Sequence, residues 1–232
     1  PLLDHQKQAV WWMGEQENKG SLRAGILGDD MGVGKTLETL GLLCAKRLAN
    51  TLIVCPMTMV NHWKSEIERH VLPNTFKVIV YYGQTRPKDL ATLRSGNIVI
   101  TTYGTVSAEY KKLTKLGMTD EGLSEGRPFD AATTRALPVG RPILLYCVPW
   151  ARVVLDEAQY IKNRFSISAR ACRALPGTYR WALSGTPISN SLDDLFSLIL
   201  FLRWPDYPDA KEWNAFIKKP VANNQPAGYQ EL

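Results

Sequence analysis

Apolar positions along the chain alternate between short continuous runs and a period near 3.6, and this switching predicts strands alternating with helices. Asp4–Glu17 reads as a helix with Asp4 at its N-cap and Gln6, Val10 and Met13 along one side. Ala24–Leu27 is a short apolar strand running into a glycine-rich turn, Gly28–Gly34. Thr36–Leu48 repeats Leu37, Leu40, Cys44 and Leu48 at helical spacing. Leu52–Cys55 reads as a buried strand stopped by Pro56, and Val60–His70 as a helix. Lys77–Tyr82 and Asn97–Thr101 read as strands around a short helix near Lys88–Arg94. Val153–Leu155 and Trp181–Leu183 read as strands flanking a helix at Ser166–Leu175, and Leu192–Leu202 as a strongly apolar helix. Such alternation implies βαβ units with right-handed crossovers, hence an α/β fold with a mostly parallel central sheet flanked by helices.

Ser107–Arg141 breaks the rhythm. It is rich in Gly, Thr, Ser, Lys and Arg with no sustained apolar period, and reads as a surface insertion. Trp204–Leu232, rich in Pro, Asn and Gln, reads as a helical extension with a loosely held end. The expected division is therefore one domain over 1–203, with the insertion at 107–141, and an appendage over 204–232.

Composition narrows the class. The 232 residues are 45% hydrophobic and 22% charged, which excludes a wholly disordered or fibrous chain. No apolar run approaches the roughly 18 residues of a membrane helix, so no membrane partner is expected. Pro1–Gln8 is polar where a secretory leader would turn apolar, and the chain opens without an initiator Met, as a piece of a longer protein would. The net charge of +6 favours an anionic partner. Cys44, Cys55, Cys147 and Cys172 are widely spaced beside apolar runs and read as buried thiols. Trp11, Trp12, Trp63, Trp150 and Trp181 could stack bases, but their apolar surroundings favour core packing. His5, His62 and His70 lack metal-ligand spacing.

Two short motifs carry chemistry. Asp30-Met31-Gly32-Val33-Gly34-Lys35-Thr36 follows a strand and opens a helix, the setting of a phosphate-binding loop. There, backbone N–H groups and a helix N-terminus meet phosphate oxygens, Lys35 reaches the β/γ-phosphates and the Thr36 hydroxyl ligates Mg²⁺. Asp29 stands where the general pattern has its leading Gly, so a chance glycine turn remains a rival. Arg152–Leu155 is an apolar strand that delivers Asp156 and Glu157 at its C-terminal end, where open α/β sheets bind ligands. Asp156 could hold Mg²⁺ through water, and Glu157 could deprotonate an attacking water. Alone, such a pair can simply end a strand.

Together these blocks resemble the Swi/Snf-related DNA-dependent ATPases of helicase superfamily two, in which an Asp at the position of Asp29 is usual. Leu3-Asp4-His5-Gln6 resembles the upstream glutamine motif. Cys55-Pro56 through Asn61-His62-Trp63 and Glu66 resembles motif Ia, and Ile100-Thr101-Thr102-Tyr103 motif Ib. Asp156-Glu157-Ala158-Gln159, followed by Ile161-Lys162-Asn163, resembles motif II. Leu183-Ser184-Gly185-Thr186-Pro187-Ile188, followed by Asn190, resembles motif III. The wording of motifs Ib and III is closest to the yeast radiation-sensitivity proteins and the helicase-like transcription factor. Gln159 departs from the residue usual at the fourth position of motif II, although an amide can still hydrogen-bond to motif III.

The resemblance implies the first of two RecA-like lobes, with ATP and Mg²⁺ as cofactors, Gln6 reading adenine, and Lys35, Asp156 and Glu157 as catalytic residues. Gln159, Ser184, Gly185 and Thr186 would couple motifs II and III. Lys64, Thr101, Thr102, Tyr103, Lys162 and Asn163 would contact DNA, because they lie in or beside motifs that line the family's DNA groove. The implied function is an ATP-driven double-stranded DNA translocase in chromatin remodelling or DNA repair, located in the nucleus. A second lobe of the same chain would bring an arginine finger, and 204–232 would begin the helical protrusion or linker towards it. An RNA helicase lobe and a non-catalytic nucleic-acid scaffold stand as alternatives.

Overall fold

The computed structural model describes residues 2–19, 22–115, 143–188, 191–207 and 209–225. Its frame is a six-stranded, wholly parallel sheet: β1 (Ala24–Leu27), β2 (Thr51–Cys55), β3 (Val78–Tyr81), β4 (Ile98–Thr102), β5 (Trp150–Leu155) and β6 (Gly177–Leu183). Their spatial order is β1-β6-β5-β2-β4-β3. Central strands covered on both faces need apolar side chains at every position. Accordingly, every residue of β2 and β4 is buried.

The period-two alternation within those strands sorts the core into two layers. Leu52, Val54, Val99, Val153 and Leu155 face α5 (Tyr103–Lys115), α6 (Ile167–Ala174) and α7 (Leu192–Leu202). Ile53, Cys55, Ile98, Ile100 and Val154 face α1 (Asp4–Lys19), α2 (Lys35–Ala45) and α3 (Val60–His70). A short α4 (Leu90–Arg94), N-capped by Asp89, joins β3 to β4. β1 to β4 fall close to their predicted limits, β5 and β6 begin three and four residues earlier than predicted, and α3 and α7 match residue for residue.

The expected insertion changes its boundary. Residues 107–115 are not surface loop but the body of α5, held to the core by Val106, Tyr110 and Leu113. Those residues recur at i, i+4 and i+7; the Lys-rich outer face diluted the signal. The rest of the expected insertion, 116–141, lies outside the described residues. At the start of α1 the cap also differs: the Leu3 N–H donates to Gln6 Oε1 at 3.0 Å, so Asp4 opens the helix rather than capping it.

Three other expectations are corrected. Trp11 is not a core residue but lies on the outer face of α1, 68% exposed, while Trp12 sits at the edge of the core, 36% exposed, with its ring edge-on to Trp181 at 5.5 Å. Trp63, Trp150 and Trp181 are buried as expected. Cys44 is exposed, unlike the other three thiols.

Polar burial anchors the frame where the apolar pattern is interrupted. Arg152 in β5 makes two 2.7 Å hydrogen bonds to Glu17 of α1, both side chains fully buried, and the Trp181 indole donates to the same carboxylate. Leaving one of these charges buried alone would be strongly destabilising, so the pair pins α1 to the sheet. After α7, a smaller apolar cluster of Phe196, Ile199, Tyr207, Trp213 and Ile217 docks the appendage. There the helix α8 (Ala210–Trp213) passes through a π turn at Asn214–Lys218 into α9 (Lys219–Ala222). Pro220 lacks the N–H that an unbroken α-ladder would use at this point. Among the described residues no helix is long and apolar enough to cross a membrane.

Candidate functional site

Because β1, β6 and β5 are neighbours in the sheet, the loops at their C-terminal ends come together. Those loops carry Asp29–Gly34, Ser184–Thr186 and Asp156–Gln159, which are 157 residues apart at their extremes in sequence. Strand order, rather than sequence proximity, builds the site.

The loop after β1 is shaped for close approach of a ligand to backbone. Gly32 and Gly34 have φ of 86° and 111°, a region that side chains rarely adopt. A Cβ on Gly34 would also strike the amide of Gln6. Gly34 N-caps α2, whose first turn therefore presents free N–H groups next to Lys35 and Thr36. The Lys35 ammonium donates to the carbonyls of Asp29 at 2.7 Å and Asp30 at 3.0 Å. It thus spans the mouth of the loop. Gln6 is buried against the same loop and donates to the Val33 carbonyl at 3.1 Å, with the His5 ring 3.3 Å from the same oxygen. Gly185 lies so close to Met31 that a Cβ there would sit 3.1 Å from the Met31 side chain, which brings the loop after β6 onto the loop after β1.

The loop after β5 turns abruptly. Glu157 has φ 52° and ψ 53°, a left-handed conformation uncommon for a residue with a Cβ. This turn lets its N–H donate to Asp156 Oδ1 at 3.0 Å. The other Asp156 oxygen, Oδ2, accepts the Trp63 indole N–H at 2.7 Å. Burial pushes the Asp156 carboxyl above its ordinary range; the Trp63 bond pulls it back, Glu157 raises it further, and Lys35 lowers it.

A polar relay then joins the two loops. Gln159 Nε2 donates to Glu157 Oε2 at 2.5 Å, and Gln159 Oε1 accepts from Ser184 Oγ at 2.9 Å. Ser184 Oγ in turn accepts the Thr186 N–H at 3.2 Å. The carboxylate can only accept and the serine hydroxyl is left to donate, so the network fixes which way the amide points. The departure at Gln159 therefore leaves the contact between motifs II and III intact. Asn190 lies outside the described residues.

The candidate DNA contacts divide. Lys64, on the outer face of α3, and Lys162 and Asn163, beyond the turn after Glu157, are exposed. Thr101 and Tyr103 are corrected: both are buried, the Thr101 hydroxyl donates to the Tyr81 carbonyl at 2.7 Å, and the Tyr103 hydroxyl to the Asp156 carbonyl at 2.8 Å. Thr102 is also buried, and its hydroxyl accepts the Thr105 N–H and lies 3.0 Å from the Thr105 hydroxyl, closing the N-terminus of α5. These three hydroxyls hold the end of β4 in place and are not presented to a ligand. The sequence pattern located the motif, but could not tell an outward hydroxyl from one spent inside.

Two residues escaped assignment. Trp63 was legible as a core aromatic, yet its N–H reaches Asp156 across 93 residues of sequence. Glu38 is buried beside the loop after β1 and pushed up to about 7, first by burial and then by Asp29. An acid three residues after Lys35 on an otherwise apolar helix face was its only signal.

A family model for the SNF2-related domain matches residues 5–232. An ATP-dependent helicase of Schizosaccharomyces pombe is 36% identical over 96% of this chain. DNA repair protein RAD5A of Arabidopsis thaliana is 34% identical over 89% of it. The chain spans 21% and 23% of those two proteins. Among solved structures, the Sulfolobus solfataricus SWI2/SNF2 ATPase core in complex with dsDNA superposes with a TM-score of 0.73 at 26% identity, over all of this chain and 42% of that one. The chain belongs to the SNF2-related domain family.

Proposed function

We propose that the chain is the first, ATP-binding motor lobe of a DNA-dependent ATPase that translocates on double-stranded DNA in DNA repair or chromatin remodelling, in the nucleus. One observation carries this reading: a phosphate-type loop, an Asp-Glu pair and a Ser-Gly-Thr loop end three neighbouring strands, and hydrogen bonds link the last two. The RAD5A kinship supports repair as the setting.

The donor set fits ATP with Mg²⁺. The loop has room only for Gly at 34, the first turn of α2 offers N–H groups, Thr36 adds a hydroxyl, and each Asp156 oxygen has accepted one N–H and keeps capacity for more. Bound together, ATP and Mg²⁺ supply an activated phosphoryl group with part of its charge neutralised. Asp30, Met31, Gly32, Val33 and Gly34 would wrap the phosphates, and Lys35 would exchange its carbonyl partners for phosphate oxygens. Thr36 and Asp156 would hold the cation, and Gln6 would meet the adenine beside Val33. Glu157 would orient a water and accept its proton at the carboxylate oxygen not engaged by Gln159. Gln159, Ser184, Gly185 and Thr186 would report that event to the rest of the lobe.

The Sulfolobus core's duplex supports double-stranded DNA as the track. Lys64, Lys162 and Asn163 would meet phosphates, giving salt-sensitive binding without sequence preference. A second lobe of the same full-length chain would complete the nucleotide site, with 204–232 leading towards it.

The test is steady-state ATP hydrolysis by the full-length protein with duplex DNA, single-stranded DNA or RNA. Stimulation chiefly by duplex DNA is expected. Stimulation chiefly by RNA would replace this reading with an RNA helicase, and no turnover with any of them would leave a scaffold.

A further inference from the structure

We propose that Trp63 is a positioning residue for Asp156: its indole N–H holds the carboxylate in the orientation that receives Mg²⁺. The inference rests on reading Asp156 as the metal carboxylate. Trp63 is fully buried, and its N–H meets Asp156 Oδ2 at 2.7 Å. Every other polar group of Asp156 is also tied, each by a different part of the fold. Its Oδ1 accepts from Glu157, its carbonyl from the Tyr103 hydroxyl, and its own N–H donates to Val54 at 2.8 Å. Of these ties, only the one from Trp63 reaches the carboxylate from outside its own loop. Without it, the carboxylate would be held through one oxygen only, by the Glu157 N–H of its own loop.

Packing alone does not explain the contact. An apolar pocket beside Val60, Ile67 and Cys55 could be filled by Phe or Leu; only an indole fills it and also delivers a donor. Two other buried indoles of the sheet show the contrast. Trp150 donates to the Leu145 carbonyl and Trp181 to Glu17, both away from the loops of the site. A partner that orients a metal-binding carboxylate typically contributes about 10–100-fold in metal affinity.

The experiment replaces Trp63 in the full-length protein by 3-benzothienylalanine, which keeps the size and shape of the indole and lacks the N–H. The same replacement at Trp150 is the packing control. Equilibrium binding of a fluorescent ATP analogue is followed against Mg²⁺ concentration, and again in EDTA. The expected result at position 63 is a rise of about 10–100-fold in half-saturating Mg²⁺, with EDTA affinity within about twofold of wild type. No such rise is expected at position 150. An unchanged Mg²⁺ dependence at position 63 overturns the proposal. So does an equal loss of affinity with and without Mg²⁺, which would mark a structural role. Asp156→Asn separates the two readings. If it too leaves the Mg²⁺ dependence unchanged, the metal assignment of Asp156 fails; if it alone abolishes the dependence, only the role of Trp63 fails.

Discussion

Glu157 and Thr101 both stand at the C-terminal edge of the same parallel sheet, with β2 between their strands, yet they are held in opposite ways. Glu157 is half-buried, takes a left-handed backbone, and bonds sideways to Gln159 in a chain that runs on to the next loop. Thr101 is fully buried and bonds inwards to the neighbouring strand at Tyr81. The Tyr81 hydroxyl continues inwards to Glu109 at 2.6 Å, and the other Glu109 oxygen accepts the Leu145 N–H. The β1-β6-β5 half thus links loop to loop, with its polar atoms facing the space between them. The β2-β4-β3 half spends its polar atoms on rigidity. The difference teaches that a motif can matter in this fold by fixing a strand end, without touching a ligand.

The largest expected effect tests whether the reactive half is complete. Residues 1–232 alone should hydrolyse ATP far more slowly than the two-lobed protein, because an arginine finger is worth about 10³–10⁵ in rate. Steady-state turnover with and without duplex DNA measures this; fast, DNA-stimulated turnover by the fragment would mean the first lobe is self-sufficient.

Next, Glu157→Gln in the two-lobed protein should keep nucleotide affinity and lose about 10²–10⁴ in turnover, the usual contribution of a positioned base. Gln can still accept from Gln159, so the relay persists and the proton acceptor goes. Near-wild-type turnover would move the base elsewhere.

The rigid half should answer through stability instead. Burial pushes Glu109 from 4.5 to about 7. Between those values the folded chain holds a proton that the unfolded chain has released, so stability falls as pH rises through that window and is fully present only below it. The whole change is on the order of 3 kcal/mol for this one group. Glu109→Gln should reduce that slope by its own share in denaturant titrations from pH 4.5 to 8, Glu38 supplying the rest, and leave ATP affinity at neutral pH unchanged. An undiminished slope would mean the proton belongs to another group.

The smallest effect contrasts two candidate DNA contacts directly. Lys64→Ala should weaken duplex binding at every sequence and reduce the salt slope by about 1. Thr101→Val should cost about 1 kcal/mol of stability and leave DNA affinity alone. If Thr101→Val instead reduces the salt slope with stability intact, the hydroxyl faces the ligand in the bound state.

Fold class, strand positions and the glycine-rich turn between β1 and α2 were legible in the chain itself. Their signals are local: Leu52–Cys55 is an unbroken apolar run, and Gly32–Thr36 falls between a short apolar run and a helical period. Helix α5 was not legible, because a solvated face carrying Lys111, Lys112 and Lys115 masks three apolar anchors. Strand order, and everything that follows from it, was decided by tertiary structure. It set the loops of β1, β6 and β5 side by side, so that Gln159 meets Ser184 and Gly185 meets Met31. It carried Trp63 to Asp156 and turned the hydroxyls of Thr101 and Tyr103 inwards. The physical reason is one of range: hydrophobic period and backbone preference act over a few residues, whereas a buried polar atom takes whichever partner the packed chain brings within about 3 Å.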